Sequence, residues 1–312
     1  MTERKKVSVV VSVYNEEEAL PAFYQATEPV LAGCGWNYEL IFVNDGSTDG
    51  SLAILEGFAR ENRRVKVISF SRNFGHEAAM IAGIDHATGD GVICMDADLQ
   101  HPPESIPEIL ACFDRGYDVV SMIRKERKDG GFLKKVTSKL FYKALNVLSP
   151  VRFEPNASDF FAFTAPVAQV LKNEYREKVR YLRGYVQSVG FSKTTLTYGA
   201  KSRVAGKSKY SLSKLMRFSA TVICSFSDFP LKLGIYSGGF VAVCGLILMI
   251  YSIINKLVNG APSGYSTIIV VLCFMFAILL GVVGIIGQYI AVLFNEIKDR
   301  PIYIIQKKTN LD

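Results

Sequence analysis

The chain has 312 residues, of which 49% are hydrophobic, and its formal net charge is +7 at pH 7. That hydrophobic share is too high for an ordinary soluble enzyme, and it is concentrated in two long uncharged stretches near the end of the chain. The positive charge suits contact with a membrane surface or with phosphate groups. Nucleic acid is not expected as a partner, because no recognised nucleic-acid-binding module is present.

Strands and helices alternate over the first part of the chain. Short apolar runs, many of them β-branched, predict strands at 7–13, 40–43, 65–70, 91–95 and 118–122. Segments of helical character lie between them at 17–31, 51–62 and 77–87. This alternation predicts an α/β domain with a mainly parallel, doubly wound sheet. Ligands of such sheets bind beyond the carboxyl ends of the strands, which is where Tyr14, Glu16, Asp45, Asp96 and Asp98 fall.

The strand predicted at 91–95 is followed by two carboxylates one residue apart, Asp96 and Asp98. On extended backbone such side chains point to the same side, so both can reach one cation, and Gln100 adds a neutral oxygen on that face. Oxygen ligands suit Mg²⁺ or Mn²⁺ better than zinc, and a substrate pyrophosphate can supply the remaining ligands. The alternative is a pair of surface aspartates at a strand end.

A basic, amphipathic segment follows this motif. Residues 124–143 contain many Lys and Arg residues and only two acidic residues, Glu126 and Asp129. Apolar residues recur among them at three- and four-residue steps. We interpret 131–150 as an interfacial helix that lies on anionic headgroups. A second helix of this kind, next to the membrane, is predicted at 207–231.

Two uncharged stretches, 233–255 and 266–294, each exceed the roughly 20 residues that a helix needs to cross a bilayer core. Two buried helices of a soluble core are the alternative. The loop between the stretches holds one lysine and its outer flanks hold more Lys and Arg, so the positive-inside rule places both termini in the cytoplasm. We therefore expect a plasma-membrane protein with a cytosolic domain at 1–206, spans at 232–256 and 266–295, and a cytoplasmic tail at 296–312.

Four polar motifs follow the predicted strands: Val-Ser-Val-Tyr-Asn-Glu at 11–16, Val-Asn-Asp-Gly-Ser-Thr-Asp-Gly at 43–50, Ser-Arg-Asn-Phe-Gly-His-Glu at 71–77 and Asp-Ala-Asp-Leu-Gln-His-Pro-Pro at 96–103. With these motifs the chain resembles family 2 glycosyltransferases of the GT-A fold, a Rossmann-like architecture. More narrowly it resembles the polyprenyl-phosphate glycosyltransferases, which include the bactoprenol glucosyltransferases and dolichol-phosphate mannose synthase. Segments 157–160, 183–184, 203–210 and 227–230 are similar too. Ser12 and Asn44 depart from the common pattern, but Asp45, Asp96 and Asp98 are present.

The resemblance implies roles for individual residues. The nucleotide sugar is expected to contact Tyr14, Glu16, Asp45 and Asp96. The metal, Mg²⁺ or Mn²⁺, is expected on Asp96, Asp98 and Gln100. The residues expected to take part in catalysis are Asp98, Asp159 and Arg203. From the residues alone, Asp159 could instead cap a helix, and Arg203 could be simple membrane-surface charge.

A phosphate acceptor needs cations more than it needs a base. Phosphate monoesters have a second pKa near ~6, so a lipid phosphate is mostly dianionic at neutral pH and its oxygen is already a nucleophile. The residues expected to bind this phosphate are Arg124, Arg127, Lys134, Ser138 and Lys207.

The resemblance favours inverting transfer of one hexose to polyprenyl phosphate at the cytoplasmic membrane face, which yields a lipid-linked sugar for modification of cell-envelope glycans. Glucose from UDP-glucose is the favoured donor, and GDP-mannose, UDP-N-acetylglucosamine, UDP-galactose and UDP-aminoarabinose derivatives are open alternatives. The resemblance also suggests a homo-oligomer. A processive or protein-directed glycosyltransferase is disfavoured because the single tryptophan, Trp36, cannot supply a Gln-x-x-Arg-Trp motif. A non-catalytic scaffold or flippase is disfavoured by the complete Asp-x-Asp motif and by spans without charge.

Overall fold

The computed structural model describes residues 4–125, 157–178, 180–199, 229–259 and 264–311. The chain divides into two compact units. The first contains Met1–Asn146, Val151–Tyr210 and Arg300–Asp312, and the second contains Val147–Pro150 and Ser211–Asp299. The interfacial helix predicted at 131–150 lies outside the described residues, as does the juxtamembrane helix predicted at 207–231 except for its last three positions.

An eight-stranded sheet forms the frame of the first unit. Its strands are β1 (Lys6–Val13), β2 (Asn37–Asn44), β3 (Val65–Phe70), β4 (Gly91–Asp96), β5 (Val119–Arg124), β6 (Ala157–Thr164), β7 (Lys193–Tyr198) and β8 (Ile305–Thr309). They are ordered β7-β5-β6-β4-β1-β2-β3-β8. β1 to β4 pair in parallel, which confirms the predicted α/β fold. The sheet as a whole is mixed, because β6 and β8 run antiparallel to their neighbours.

Helices cover both faces of the central strands. They are α1 (Leu20–Gly33), α2 (Ser51–Glu61), α3 (His76–His86), α4 (Ile106–Asp114), α5 (Ala165–Asn173) and α6 (Leu182–Ser188). Val9 of β1 belongs to a core cluster with Phe23 of α1 and Leu110 of α4. Val10, one residue later, faces α3, where a Cβ on Gly83 would lie 2.1 Å from its Cγ1. A central parallel strand buried on both faces explains the uninterrupted apolar run in β1.

The segment after residue 300 also belongs to the sheet. β8 pairs antiparallel with β3, and Lys308 lies opposite Ile68. The ring of Tyr303 stacks on Phe70 with centroids 5.3 Å apart, and its hydroxyl donates to Oδ2 of Asp85 at 2.7 Å. The tail at 296–312, predicted only to be cytoplasmic, therefore contributes an edge strand to the sheet.

The second unit contains two long helices, α7 (Phe229–Asn259) and α8 (Tyr265–Ile297). Both are long and apolar enough to cross a membrane, over Leu231–Leu248 and Phe274–Ile297, and neither of these windows is buried. They pack against each other where a Cβ on Gly234 would lie 3.0 Å from Cγ1 of Val282. Such exposure does not fit two core helices of a soluble domain.

Candidate active site

The polar loops of the first unit meet at one edge of its sheet. Because β1 to β4 are parallel, the loops that follow them leave at the same edge. β6 runs antiparallel to β4, with Phe161 opposite Cys94, and therefore enters the sheet at that edge. Continuing this register to the end of β4 places Asp159 beside Asp96. Strand pairing thus brings together two of the residues singled out in the sequence.

Asp96 and Asp98 occupy the end of β4 and the turn after it. β4 ends at Asp96, and Leu99 has a left-handed backbone with φ of 58°, so the extended backbone assumed for the motif does not continue through it. Asp98 is only 7% exposed, and its Oδ1 accepts the backbone N–H of Gln100 at 3.0 Å. The side-chain oxygen of Gln100 accepts a hydrogen bond from Nη1 of Arg124 at 3.4 Å. The metal role of Gln100 stays a prediction.

The donor set of this turn fits a hard cation that shares its ligands with a substrate. The part of the chain that the structure describes holds no group of three or more His, Cys, Asp or Glu residues arranged to bind a metal by themselves. Asp96 and Asp98 offer carboxylate oxygens, which Mg²⁺ and Mn²⁺ accept, and a diphosphate is the usual source of further oxygens. The two aspartates are therefore suited to a metal that arrives with a nucleotide sugar.

His101 holds the end of β4 in place. Its Nδ1 accepts the backbone N–H of Asp96 at 2.9 Å. Its ring stacks on Phe160, with centroids 5.0 Å apart, and meets Tyr198 edge-on at 5.9 Å. Burial lowers the pKa of His101, in keeping with a neutral ring that accepts through Nδ1. No role was predicted for His101 from the sequence, although it lies inside the motif at 96–103.

His76, at the start of α3, contacts Asp96 from another side. Its Nδ1 lies 2.6 Å from Oγ of Ser12 and 3.7 Å from Oδ1 of Asp96. Burial lowers the pKa of His76, but the carboxylates of Asp96 and Asp159 outweigh burial and raise that pKa above its usual value. Ser12, noted as a departure from the common pattern, is thus the hydrogen-bond partner of a histidine at the site.

Asp159 is paired with Arg183 of α6. Nη2 and Nε of Arg183 donate to Oδ1 of Asp159 at 2.6 and 3.1 Å. Burial opposes the charge on Asp159, but the Arg183 guanidinium outweighs it and lowers the pKa of the carboxyl. Asp159 lies within β6, so the alternative of a helix cap is wrong. Arg183 belongs to a segment that resembles the family, but its sequence context alone predicts no role for it.

The loops after β1 and β2 are joined by hydrogen bonds. Oδ1 of Asn15 accepts the N–H of Thr48 at 2.8 Å, and the N–H of Glu16 donates to Oγ of Ser51 at 2.9 Å. Tyr14 is 37% exposed beside them. Tyr14 and Glu16 therefore lie at the predicted edge, and their contact with the nucleotide sugar stays a prediction.

Asp45 anchors the loop after β3. It is 2% exposed, and its two carboxylate oxygens accept the backbone N–H groups of Phe74 at 2.6 Å and Gly75 at 2.9 Å. Burial raises the pKa of Asp45, against the effect of these two hydrogen bonds. The residue thus has a local structural role in addition to the donor-binding role predicted for it.

Five predicted site residues lie outside the described residues. They are Arg127, Lys134, Ser138, Arg203 and Lys207. Arg124, the other predicted phosphate ligand, ends β5 at the same edge as Asp96.

The match to a known family agrees with this geometry. The family model described as glycosyl transferase family 2 matches residues 8–170, which include Asp45, Asp96, Asp98 and Asp159. The chain belongs to glycosyltransferase family 2.

Two relatives with glycosyltransferase names are similar over nearly the whole chain. The uncharacterized glycosyltransferase YkcC of Bacillus subtilis is 39% identical over 100% of this chain and 97% of its own length. The SfII prophage-derived bactoprenol glucosyl transferase of Shigella flexneri is 38% identical over 97% of this chain and 98% of its own. A crystal structure of a mycobacterial protein matches 70% of this chain and 73% of its own, at 20% identity and a TM-score of 0.50, and supports the fold alone.

Proposed function

We propose that this family 2 glycosyltransferase transfers one hexose from a nucleotide sugar to a polyprenyl phosphate at the cytoplasmic face of a membrane. The observation that carries the proposal is the 38% identity with a bactoprenol glucosyl transferase over nearly all of both chains. That match extends beyond the sheet edge formed by Asp96, Asp98 and Asp159 to the two apolar helices. The favoured donor is UDP-glucose.

The donor side of the site rests on Asp96 and Asp98. When bound there, Mg²⁺ or Mn²⁺ supplies positive charge to the diphosphate leaving group. Asp96 is held for this role by the backbone hydrogen bond to His101, at 2.9 Å. Asp98 is only 7% exposed, so few water molecules can reach its carboxylate and compete with the metal.

The acceptor side needs positive charge and positioning rather than a strong base. At neutral pH the lipid phosphate is mostly dianionic, so no proton has to leave the attacking oxygen. An Asp159 carboxylate already paired with Arg183 at 2.6 Å suits positioning better than proton abstraction. Single displacement on an α-linked donor would give a β-linked lipid phosphosugar.

The two apolar helices favour a membrane location. Lys and Arg residues are concentrated on the outer flanks of α7 and α8, so we infer that both flanks lie on the cytoplasmic side. This topology would bring the nucleotide sugar and the lipid phosphate to the same side of the bilayer.

A product assay tests the proposed function. Purified full-length protein is incubated with undecaprenyl phosphate and, in turn, UDP-glucose, UDP-galactose, UDP-N-acetylglucosamine, GDP-mannose and a UDP-aminoarabinose derivative. Mass spectrometry of the lipid fraction is expected to detect one hexose per lipid, with UDP-glucose as the best donor. Transfer from another donor would correct the sugar alone. The absence of any lipid product with every donor would overturn the proposed function.

A further inference from the structure

The described part of the active site carries more negative than positive charge at the point where anions must bind. Asp96, Asp98 and Asp159 lie at this edge, and the carboxyl group of Glu77 is close enough to Asp159 to interact with it electrostatically. A donor diphosphate brings its own metal to Asp96 and Asp98, but a lipid phosphate brings no cation. A fixed positive group beside Asp159 would therefore favour the approach of this phosphate.

Arg183 is the guanidinium that the fold places against Asp159. Its Nη2 and Nε lie 2.6 and 3.1 Å from Oδ1 of Asp159. The ring of Tyr181 lies on another side, 5.9 Å from the guanidinium carbon. A planar guanidinium is the side chain best suited to bind phosphate oxygens in a defined orientation.

The backbone that carries Arg183 is itself fixed. The N–H of Leu182 donates to Oε2 of Glu77 at 2.9 Å, which ties the start of α6 to the start of α3. Glu77 is half-buried near Asp159, and its loss of solvent contact raises its pKa. The arginine is therefore oriented by Asp159, Tyr181 and the Glu77–Leu182 hydrogen bond before a substrate arrives, which lowers the entropic cost of binding.

We propose that Arg183 binds the phosphate of the lipid acceptor and that Asp159 is a positioning residue that acts through Arg183. The proposal rests on the proposed function and assigns a residue to the acceptor half of the same site. The aspartate is needed because it orients the guanidinium, and the guanidinium is needed because it offsets the acceptor's charge.

A steady-state comparison of full-length variants tests this assignment. In Arg183→Gln the KM for undecaprenyl phosphate is expected to rise about 10- to 100-fold, the usual effect of losing a charge-assisted hydrogen bond. The dissociation constant of UDP with Mn²⁺, measured by calorimetry, is expected to change less than about 3-fold. Arg183→Lys keeps the charge but not the planar pair of donors, so we expect an intermediate KM.

Arg176→Gln is the matched control. Arg176 also pairs with an aspartate, since its Nη1 lies 2.8 Å from Oδ1 of Asp85, but neither residue belongs to the site. Its acceptor KM is expected to stay at the wild-type value. A rise in Arg176→Gln equal to that in Arg183→Gln would overturn the assignment, because any lost ion pair would then suffice.

A double-mutant cycle separates positioning from direct catalysis. If Asp159 acts through Arg183, the double variant Asp159→Asn/Arg183→Gln is no slower than the slower single variant. If the two losses multiply, or if Arg183→Gln weakens UDP binding and leaves the acceptor KM unchanged, the assignment is wrong. A wild-type protein that modifies no polyprenyl phosphate would overturn the proposed function together with this assignment.

Discussion

Two histidines lie against Asp96, with the Nδ1 of each 3.7 Å from a different carboxylate oxygen, and His101 also binds the backbone. His101 accepts the backbone N–H of Asp96 and stacks on Phe160, the residue after Asp159. His76 faces the carboxylate of Asp96 at 3.7 Å and is paired with Ser12 at 2.6 Å. Asp96, the predicted metal ligand, is therefore held through both its backbone and its side-chain surroundings before a ligand binds.

Loss of Asp98 tests the metal assignment. We expect Asp98→Ala to lower transfer at least about 100-fold and to weaken UDP binding in the presence of Mn²⁺, because the diphosphate then lacks a well-placed cation. Calorimetry with and without EDTA measures the binding change. Asp114→Ala, which removes a 53% exposed surface carboxylate, is the control and should behave as wild type. Full turnover of Asp98→Ala in EDTA would contradict the assignment.

The pH dependence of an Asp159 variant distinguishes a base from a positioning residue. The pKa of Asp159 lies below its usual value in the folded protein, so the carboxylate is ionised throughout the assay range above that value. We expect Asp159→Asn to turn over about 10- to 100-fold more slowly, with the same deficit from pH 7 to pH 9, because the acceptor is already deprotonated. A residual rate that climbs toward wild type with increasing pH would instead indicate an obligate base.

The residues of the site were only partly predictable. Asp45, Asp96 and Asp98 follow apolar runs that mark strand ends, so local sequence places them. Arg183 reaches the site through a pairing with a residue 24 positions earlier, and His101 through stacking on Phe160. No local pattern encodes these contacts, because they depend on how β6 and α6 pack.

At the scale of elements, a buried charge joins three strands at the edge of the sheet opposite the site. Glu39 of β2 is 1% exposed, and its Oε2 lies 2.8 Å from Nζ of Lys6 in β1 and 2.7 Å from Nζ of Lys66 in β3. Burial alone would raise the pKa of Glu39, but these partners outweigh it and lower the pKa to about 2.

This pKa predicts an acid-dependent loss of stability. Because the folded pKa is below the unfolded one, the stabilisation is complete above about pH 5 and is lost as the pH falls toward 2. A difference of this size corresponds to about 3 kcal/mol. Glu39→Gln should therefore unfold more easily than wild type at pH 7. The difference between the denaturation midpoints of the two proteins should become smaller toward pH 3. An equal gap at both pH values would contradict the ionic origin of the effect.

A glycine in the loop after β2 sets how closely two loops approach. Gly46 has φ of +65°, and a Cβ there would lie 2.5 Å from the carbonyl carbon of Arg72. We expect Gly46→Ala to displace the loop that Asp45 anchors and to weaken UDP binding about 10-fold or more. Gly57→Ala is the control: Gly57 lies in α2 with nothing within 4 Å of a new Cβ, so binding should be unchanged.

Among the elements, the sequence predicted β1 to β5 and did not predict β6, β7 or β8. β1 to β4 are apolar and buried, so their sequences predict them. β8 has the sequence Ile-Gln-Lys-Lys-Thr and an exposed centre, so no apolar alternation indicates a strand. Its pairing with β3 is set by contacts between distant parts of the chain.

At the scale of the whole molecule, the first unit is completed by a segment that follows both apolar helices in the chain. A chain that ends after Arg300 lacks β8, the stacking of Tyr303 on Phe70 and the hydrogen bond from Tyr303 to Asp85. We expect this truncated protein, with both helices retained, to unfold at a lower temperature and to aggregate more readily, because the edge of β3 is open. Lys308→Ala, an exposed change within β8, is the control and should leave the unfolding midpoint nearly unchanged. An unaltered midpoint after truncation would contradict the role given to β8.

Because β8 lies near the end of the chain, it is synthesised after all the other strands of the sheet. β3 is made early, but its partner strand emerges only after α7 and α8 have been translated. A newly made chain therefore carries an unpaired strand edge throughout the synthesis of its two most apolar segments. If those segments enter the bilayer as they emerge, the sheet is completed only after membrane insertion has begun. A chain that is released early would have a first unit without its last strand.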